Sequence, residues 1–139
     1  MRAFLDSSAI IIGLAIEKSN SAKILDLLFN NKIDAAISEK VLKEVKKYFR
    51  EKRSRNYAYM IELLLRKNCK IVYNYEVKEK MAELKGKIKD KDLEQLAVVK
   101  KHNLKNLVGF DRDFENFTEY IPPKQFIRKL NLEAYETEY

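Results

Sequence analysis

Short apolar runs alternate with longer stretches of helical periodicity along almost the whole of this chain. The runs lie at residues 2–5, 34–37, 71–73, 107–108 and 118–121. Between them apolar residues recur every three or four positions, as at Ile24, Leu27 and Leu28, which indicates amphipathic helices. This alternation predicts an α/β fold in which a mostly parallel sheet of four to five strands carries helices on both faces.

Residues that typically begin or end helices are placed consistently with that arrangement. Ser38 is an N-cap candidate for the helix that carries Val41 and Val45, and Gly86 marks a break after a helix ending near Leu84. Pro122 and Pro123 suit the first turn of a last helix. The spacing also predicts a helix over 57–67 and another that begins at Asp92.

The size of the chain indicates one domain. Its 139 residues include only three glycines and two prolines, which leaves little room for a linker. We expect a single domain over residues 1–132, followed by a polar tail over 133–139 that frays. No apolar stretch approaches the ~18 residues of a membrane helix, and the N-terminus does not resemble a signal peptide. Cys69 is the lone cysteine and is interpreted as a structural thiol, so the cytoplasm is the predicted compartment.

The chain is strongly basic, with a formal net charge of +7. Basic residues are concentrated in one predicted helix and its end, at Lys43, Lys46, Lys47, Arg50, Lys52, Arg53 and Arg55, and in a second segment over 78–91. A basic run is often only a solvated helix face. Next to an acidic cluster, however, it favours a polyanionic partner such as a nucleic acid. We therefore predict that Lys46, Lys47, Arg50 and Arg53 bind nucleic-acid phosphates.

Against this basic background, five of the seven aspartates lie where a strand or loop gives way to a helix. They are Asp6, Asp90, Asp92, Asp111 and Asp113. Asp6 and Asp111 follow strands, and the carboxyl ends of parallel strands lie at one edge of a sheet. Carboxylates brought together repel one another unless a cation lies between them. The pattern predicts a divalent-metal site at this edge of the sheet.

Not every acid fits a metal role equally well. Asp6 could instead cap a helix, although Ser7 or Ser8 could serve there too. Glu44 lies three residues after Val41, on the helix face that carries the apolar residues, so we predict that it is buried. Because an unpaired buried carboxylate is costly, it should be paired with a metal or with a basic residue.

Two further acids have simpler alternatives. Asp92 shares a helix edge with Leu96, whereas Asp90 suits a turn or a cap. Asp113 is either an additional metal ligand or a helix cap.

Four sequence motifs resemble those of the PIN-domain family. They are DSSAII from Asp6, a serine six residues before Glu44, D-x-x-x-L-A from Asp92, and GFDRDF around Asp111. The resemblance covers roughly residues 2–130 and implies a three-layer α/β/α sandwich. It also implies a Mg²⁺- or Mn²⁺-dependent endoribonuclease with Asp6, Glu44, Asp92 and Asp111 as catalytic metal ligands and Asp113 as an accessory ligand. Family members often carry a threonine or serine where this chain has Gly109.

The leading hypothesis is an endoribonuclease for single-stranded RNA that acts as the toxin of a toxin–antitoxin pair. Its partners would be RNA, a small antitoxin and a second copy of the chain. Two alternatives remain: a nuclease of RNA processing or quality control, and a PIN-like module that binds RNA or protein without cutting. The single histidine, His102, excludes a two-histidine ribonuclease, and no P-loop motif indicates nucleotide hydrolysis.

Overall fold

The computed structural model describes residues 2–139, and this range forms five strands and seven α-helices. The strands are β1 (Arg2–Leu5), β2 (Asp34–Ser38), β3 (Cys69–Val72), β4 (Leu107–Val108) and β5 (Tyr120–Ile121). The helices are α1 (Ser7–Ala15), α2 (Asn20–Phe29), α3 (Glu39–Lys52), α4 (Arg55–Asn68), α5 (Lys78–Leu84), α6 (Leu93–Lys101) and α7 (Pro123–Lys129). Single 3₁₀ turns at Asn74–Val77, Asp90–Asp92 and Arg112–Phe114 connect them.

All five strands are parallel and lie in the order β3-β2-β1-β4-β5. The helices flank this sheet, so the predicted α/β/α sandwich is confirmed. The central strand β1 is buried from Ala3 to Leu5, as expected for a strand covered on both faces. Because β4 pairs directly with β1, the segments that follow these two strands leave the sheet side by side.

Local sequence explains how several helices begin and end. The Ser38 hydroxyl accepts a hydrogen bond from the Val41 amide, which confirms it as the N-cap of α3. Ser19 and Ser54 cap α2 and α4 in the same way. Beyond α5, Gly86 adopts φ +88°, a left-handed conformation that glycine reaches without the steric cost of a side chain.

The C-terminal tail differs from the sequence prediction, because it is held by hydrogen bonds over 133–139. The buried Asn20 amide donates to the carbonyls of Tyr135 and Thr137 and accepts from the Tyr135 amide. The Ser21 amide donates to the carbonyl of Tyr139. The prediction of fraying rested on the polar side chains of the tail. It was wrong because the tail's backbone forms hydrogen bonds with residues of the first turn of α2. No helix in the described part of the chain is long and apolar enough to cross a bilayer.

A candidate metal centre at the carboxyl edge of the sheet

The pairing of β1 with β4 brings the first and last acidic segments together. The Asp6 amide donates a hydrogen bond to the Val108 carbonyl at 2.9 Å, one residue beyond the end of β1. Asp111 follows three residues after β4, and Asp92 lies at the start of α6. Asp6, Asp92, Asp111 and Glu44 are close enough for their charges to interact, because the last three all raise the pKa of Asp6.

Asp6 is the most strongly perturbed carboxyl group of this edge. The residue is 5% exposed, and burial is the main reason that its pKa rises from 3.8 to about 7. The Ser7 amide partly offsets this shift. Asp6 occupies the N-cap position of α1, but its carboxylate does not cap the helix. The capping alternative therefore does not account for this side chain.

Asp92, Asp111 and Asp113 form the tightest group of acids. Each offers one carboxylate oxygen, and these three oxygens lie within 4.8 Å of one another. Asp111 is oriented by the Asp113 amide, which donates to its Oδ1 at 2.9 Å. Burial, followed by the nearby Asp111 charge, raises the pKa of Asp92, although the neighbouring Lys91 opposes the shift. Asp90 is exposed and is not part of this group.

One buried oxygen of Asp92 tests whether these residues fit a metal. Lys91 Nζ lies 3.1 Å from Oδ2, but the geometry does not make a hydrogen bond, so this anionic oxygen is incompletely satisfied. The adjacent oxygens of Asp111 and Asp113 are hard, anionic ligands of the kind that Mg²⁺ and Mn²⁺ prefer. The arrangement fits a divalent cation.

Glu44 lies near this group, but the prediction that it is buried was wrong. The buried residues of α3 are Val41, Leu42, Val45 and Phe49. At ~100° per residue, Glu44 lies roughly 115° around the helix from the centre of that stripe, so it projects from the edge and is exposed. Neighbouring atoms still desolvate it enough to raise its pKa, while Lys40, the Ser7 side chain and Lys91 oppose the rise.

Two lysines that sequence reasoning did not single out lie among the acids. Lys91 contacts three carboxylates: Nζ is 3.1 Å from Asp92 Oδ2, 3.3 Å from Asp111 Oδ2 and 3.2 Å from Asp113 Oδ2. Lys40 precedes Glu44 by one helical turn, and its side chain donates to the Lys91 carbonyl. Lys91 belongs to the basic segment over 78–91, and its position between Asp90 and Asp92 was the sequence signal that it lies among the acids.

Gly109 contributes to the site through close packing. A Cβ at this position would lie 2.8 Å from Asp6 Cβ and 3.2 Å from Ser8 Oγ. That hydroxyl accepts from the Phe110 amide at 3.0 Å and donates to Asp6 Oδ2 at 3.4 Å. A hydroxyl therefore reaches the buried carboxylate from Ser8, although position 109 itself has none.

We expect Gly109→Ala to destabilise the protein in chelator by about 1–3 kcal/mol, because the new methyl group must displace Asp6 or β4. Melting curves measure this loss, and Mn²⁺ titration should show weaker binding in the same variant. Gly86→Ala is the matched control. It adds the same methyl group with no atom within 4 Å, so any strain from its positive φ should leave Mn²⁺ binding unchanged. A Gly109→Ala protein as stable as the parent would show that the Asp6 packing is not tight.

The residues predicted to bind RNA are not all on one face of α3. Lys47 lies one turn beyond Glu44. Lys46 instead forms an ion pair with Glu62 of α4 at 3.0 Å. Arg50 lines the same α3–α4 cavity as Lys46, and the Arg53 guanidinium lies 5.0 Å from the centre of the Tyr57 ring. Their role in RNA binding stays a prediction.

The two remaining residues of interest occupy structural positions. Cys69 is buried, which raises its pKa to about 12 and keeps the thiol protonated. His102 is the C-cap residue of α6, and burial lowers its pKa.

A parallel α/β/α sandwich with acids gathered at the carboxyl edge defines a recognisable class of domain. The PIN domain family profile matches residues 2–113, which is most of the chain, and the protein belongs to the PIN-domain family. No curated protein sequence gives a significant match.

Solved structures share this fold at low sequence identity. One is a toxin–antitoxin complex from Klebsiella pneumoniae, with a TM-score of 0.68 and 19% identity over 87% of this chain and 97% of that chain. VapBC-1 from nontypeable Haemophilus influenzae gives 0.67 and 18%, over 88% and 98%. The sarcin–ricin loop-cleaving toxin VapC20 from Mycobacterium tuberculosis gives 0.60 and 18%, over 82% and 93%.

Proposed function

We propose that this protein is a metal-dependent endoribonuclease that cleaves single-stranded RNA and acts as the toxin of a toxin–antitoxin pair. The observation that carries the proposal is the convergence of one carboxylate oxygen from each of Asp92, Asp111 and Asp113 within 4.8 Å of one another. Membership of the PIN-domain family supports a nuclease. The cation would be Mg²⁺ or Mn²⁺.

Five acidic residues of the chain would serve as metal ligands. Asp6, Glu44, Asp92 and Asp111 would hold the cation, with Asp113 as an accessory ligand. A divalent cation held in this way supplies water activation and neutralises charge at a scissile phosphate.

Two groups orient the carboxylates for that role. The Asp113 amide fixes Oδ1 of Asp111, and Oδ2 of Asp111 lies 3.3 Å from the Lys91 ammonium. The Ser8 hydroxyl joins the Asp6 carboxylate to the Phe110 amide, just after the end of β4. Because these positions are set by backbone hydrogen bonds and strand pairing, the acids are arranged before any ligand arrives.

The similarity of the fold to solved toxin structures supports an antitoxin partner. The matching structure from Klebsiella is a toxin–antitoxin complex, and the one from Mycobacterium is a sarcin–ricin loop-cleaving toxin. The exposed apolar residues Tyr59, Met60 and Leu63 on α4 offer a surface for a protein partner, either an antitoxin or a second copy of the chain.

One observation favours a non-catalytic PIN-like module instead. Lys91 and Lys89 already form ion pairs with three of the acids, as they would if the cluster were only a structural network. Metal-dependent cleavage distinguishes the two functions. The purified protein should cut single-stranded RNA in Mn²⁺ or Mg²⁺ and stop in chelator. Activity that persists in chelator, or no activity with either ion, would contradict the proposal.

The basic end of α3 should guide RNA toward the acids. We expect the triple replacement of Lys47, Arg50 and Arg53 by glutamate to weaken RNA binding for all sequences, because phosphate contacts carry no base information. The slope of log Kd against log salt should fall by about 2, since three phosphate contacts on a single strand are lost. Mn²⁺ affinity should change little.

The control for this variant is a second triple charge reversal, at Lys32, Lys67 and Lys105. Each of these exposed lysines lies two residues before a strand, at the opposite edge of the sheet. Equal losses of RNA affinity in the two triple variants would show that net charge matters and that α3 is not the binding track.

A further inference from the structure

The position that a cation would take among the acids is approached by a cation of the chain itself. The Lys91 ammonium lies within 3.3 Å of one oxygen from each of Asp92, Asp111 and Asp113. These are the three residues whose carboxylate oxygens converge within 4.8 Å. Lys89 adds a single contact, 3.3 Å from Asp113 Oδ2. The ammonium of Lys91 is therefore the main counter-charge of the cluster.

The contact with Asp92 neutralises charge without satisfying the oxygen. Lys91 Nζ is 3.1 Å from Asp92 Oδ2, yet this buried oxygen has no hydrogen bond. By contrast, Lys91 donates to Asp111 Oδ2. An ammonium group has three donors in a fixed tetrahedral arrangement, and here it does not match all three carboxylates. A metal ion can accept oxygen ligands from every side.

Lys91 is also free to leave. Its side chain is 58% exposed, whereas that of Asp92 is 5% exposed. The exposed end of a lysine side chain can turn into solvent at little cost, because its rotamers are freely available there. The acids cannot follow, since Asp92 is fixed at the start of α6 and Asp111 is bonded to the Asp113 amide.

We propose that Lys91 is a resident counter-ion of the acidic site and that a divalent cation must displace it in order to bind. The inference rests on the proposed metal-dependent function and adds that Lys91 sets the metal affinity. Lys91 and the metal compete for the same oxygens of Asp92, Asp111 and Asp113. Removal of the ammonium therefore tightens metal binding and exposes the mutual repulsion of the carboxylates when metal is absent.

The experiment measures Mn²⁺ affinity of the parent and of Lys91→Met, by electron paramagnetic resonance of free Mn²⁺. We expect Lys91→Met to bind Mn²⁺ about five- to tenfold more tightly, the scale of a small network of partly exposed ion pairs. In chelator the same variant should melt about 2–4 °C below the parent. Lys91→Arg keeps the positive charge and should bind Mn²⁺ no more tightly than the parent, because a guanidinium still competes for the same carboxylates.

Lys87→Met is the control for loss of one positive charge. Lys87 is exposed and makes no ion pair within 4 Å among residues 2–139, so its variant should match the parent. If Lys91→Met binds Mn²⁺ no more tightly than Lys87→Met does, the displacement proposal is overturned while metal-dependent cleavage stands. If neither the parent nor Lys91→Met binds Mn²⁺, both the displacement and the proposed metal-dependent function are overturned.

Discussion

Replacement of Asp111 by asparagine is expected to lower metal-dependent cleavage of single-stranded RNA by about a hundredfold or more, and Asp6→Asn should do the same. Both side chains follow paired parallel strands, and Asp111 converges with Asp92 and Asp113. An amide has nearly the shape of the carboxylate but lacks its charge, so the fold is kept while the metal loses an anionic ligand. Initial rates with a labelled RNA in saturating Mn²⁺ measure the loss.

The control for both variants is Asp26→Asn. Asp26 is an exposed residue of α2 and does not belong to the cluster, so this variant should cleave at the parental rate. RNA affinity in chelator should be unchanged in all three proteins, which separates loss of chemistry from loss of binding. Full activity in Asp111→Asn, with contaminating nuclease excluded, would remove Asp111 from the site.

A large pH dependence of stability is expected from Asp6. Its pKa is about 7 in the folded protein and 3.8 as the reference value. Between these values the folded chain holds a proton that the unfolded chain has released, so the free energy of unfolding falls as pH rises. The full effect is about 4 kcal/mol at most, lost between about pH 4 and pH 7. The raised pKa values of Asp92 and Glu44 act in the same direction.

Urea unfolding in chelator at several pH values measures this dependence. Asp6→Asn cannot ionise, so it should be close to the parent at pH 4 and clearly more stable than the parent above pH 7. Saturating Mn²⁺ should recover much of the parent's stability at neutral pH, because only the folded chain assembles the ligands. A parent and an Asp6→Asn variant with parallel pH profiles would show that Asp6 is ionised in the folded state throughout this range.

The sequence by itself determined the fold class and the location of the acids. The spacing of apolar residues, every second position in strands and every three to four in helices, reports which side of one element is buried. A strand buried on both faces has a short, continuous apolar run instead, such as Phe4–Leu5. An acid within about three residues of the end of such a run lies at the carboxyl edge of a parallel sheet whichever strands are neighbours. For that reason Asp6 and Asp111 could be assigned to one edge before any strand order was known.

Only the tertiary structure decided which groups face one another across that edge. Glu44 proved exposed because the stripe of α3 is centred on other residues, and the tail proved ordered because its carbonyls meet Asn20, which is distant in sequence. The contact of Gly109 with Asp6 and those of Lys91 with three carboxylates depend on the pairing of β1 with β4 and on the approach of α6. Periodicity describes one element at a time, whereas these distances are set between elements that are far apart in the chain.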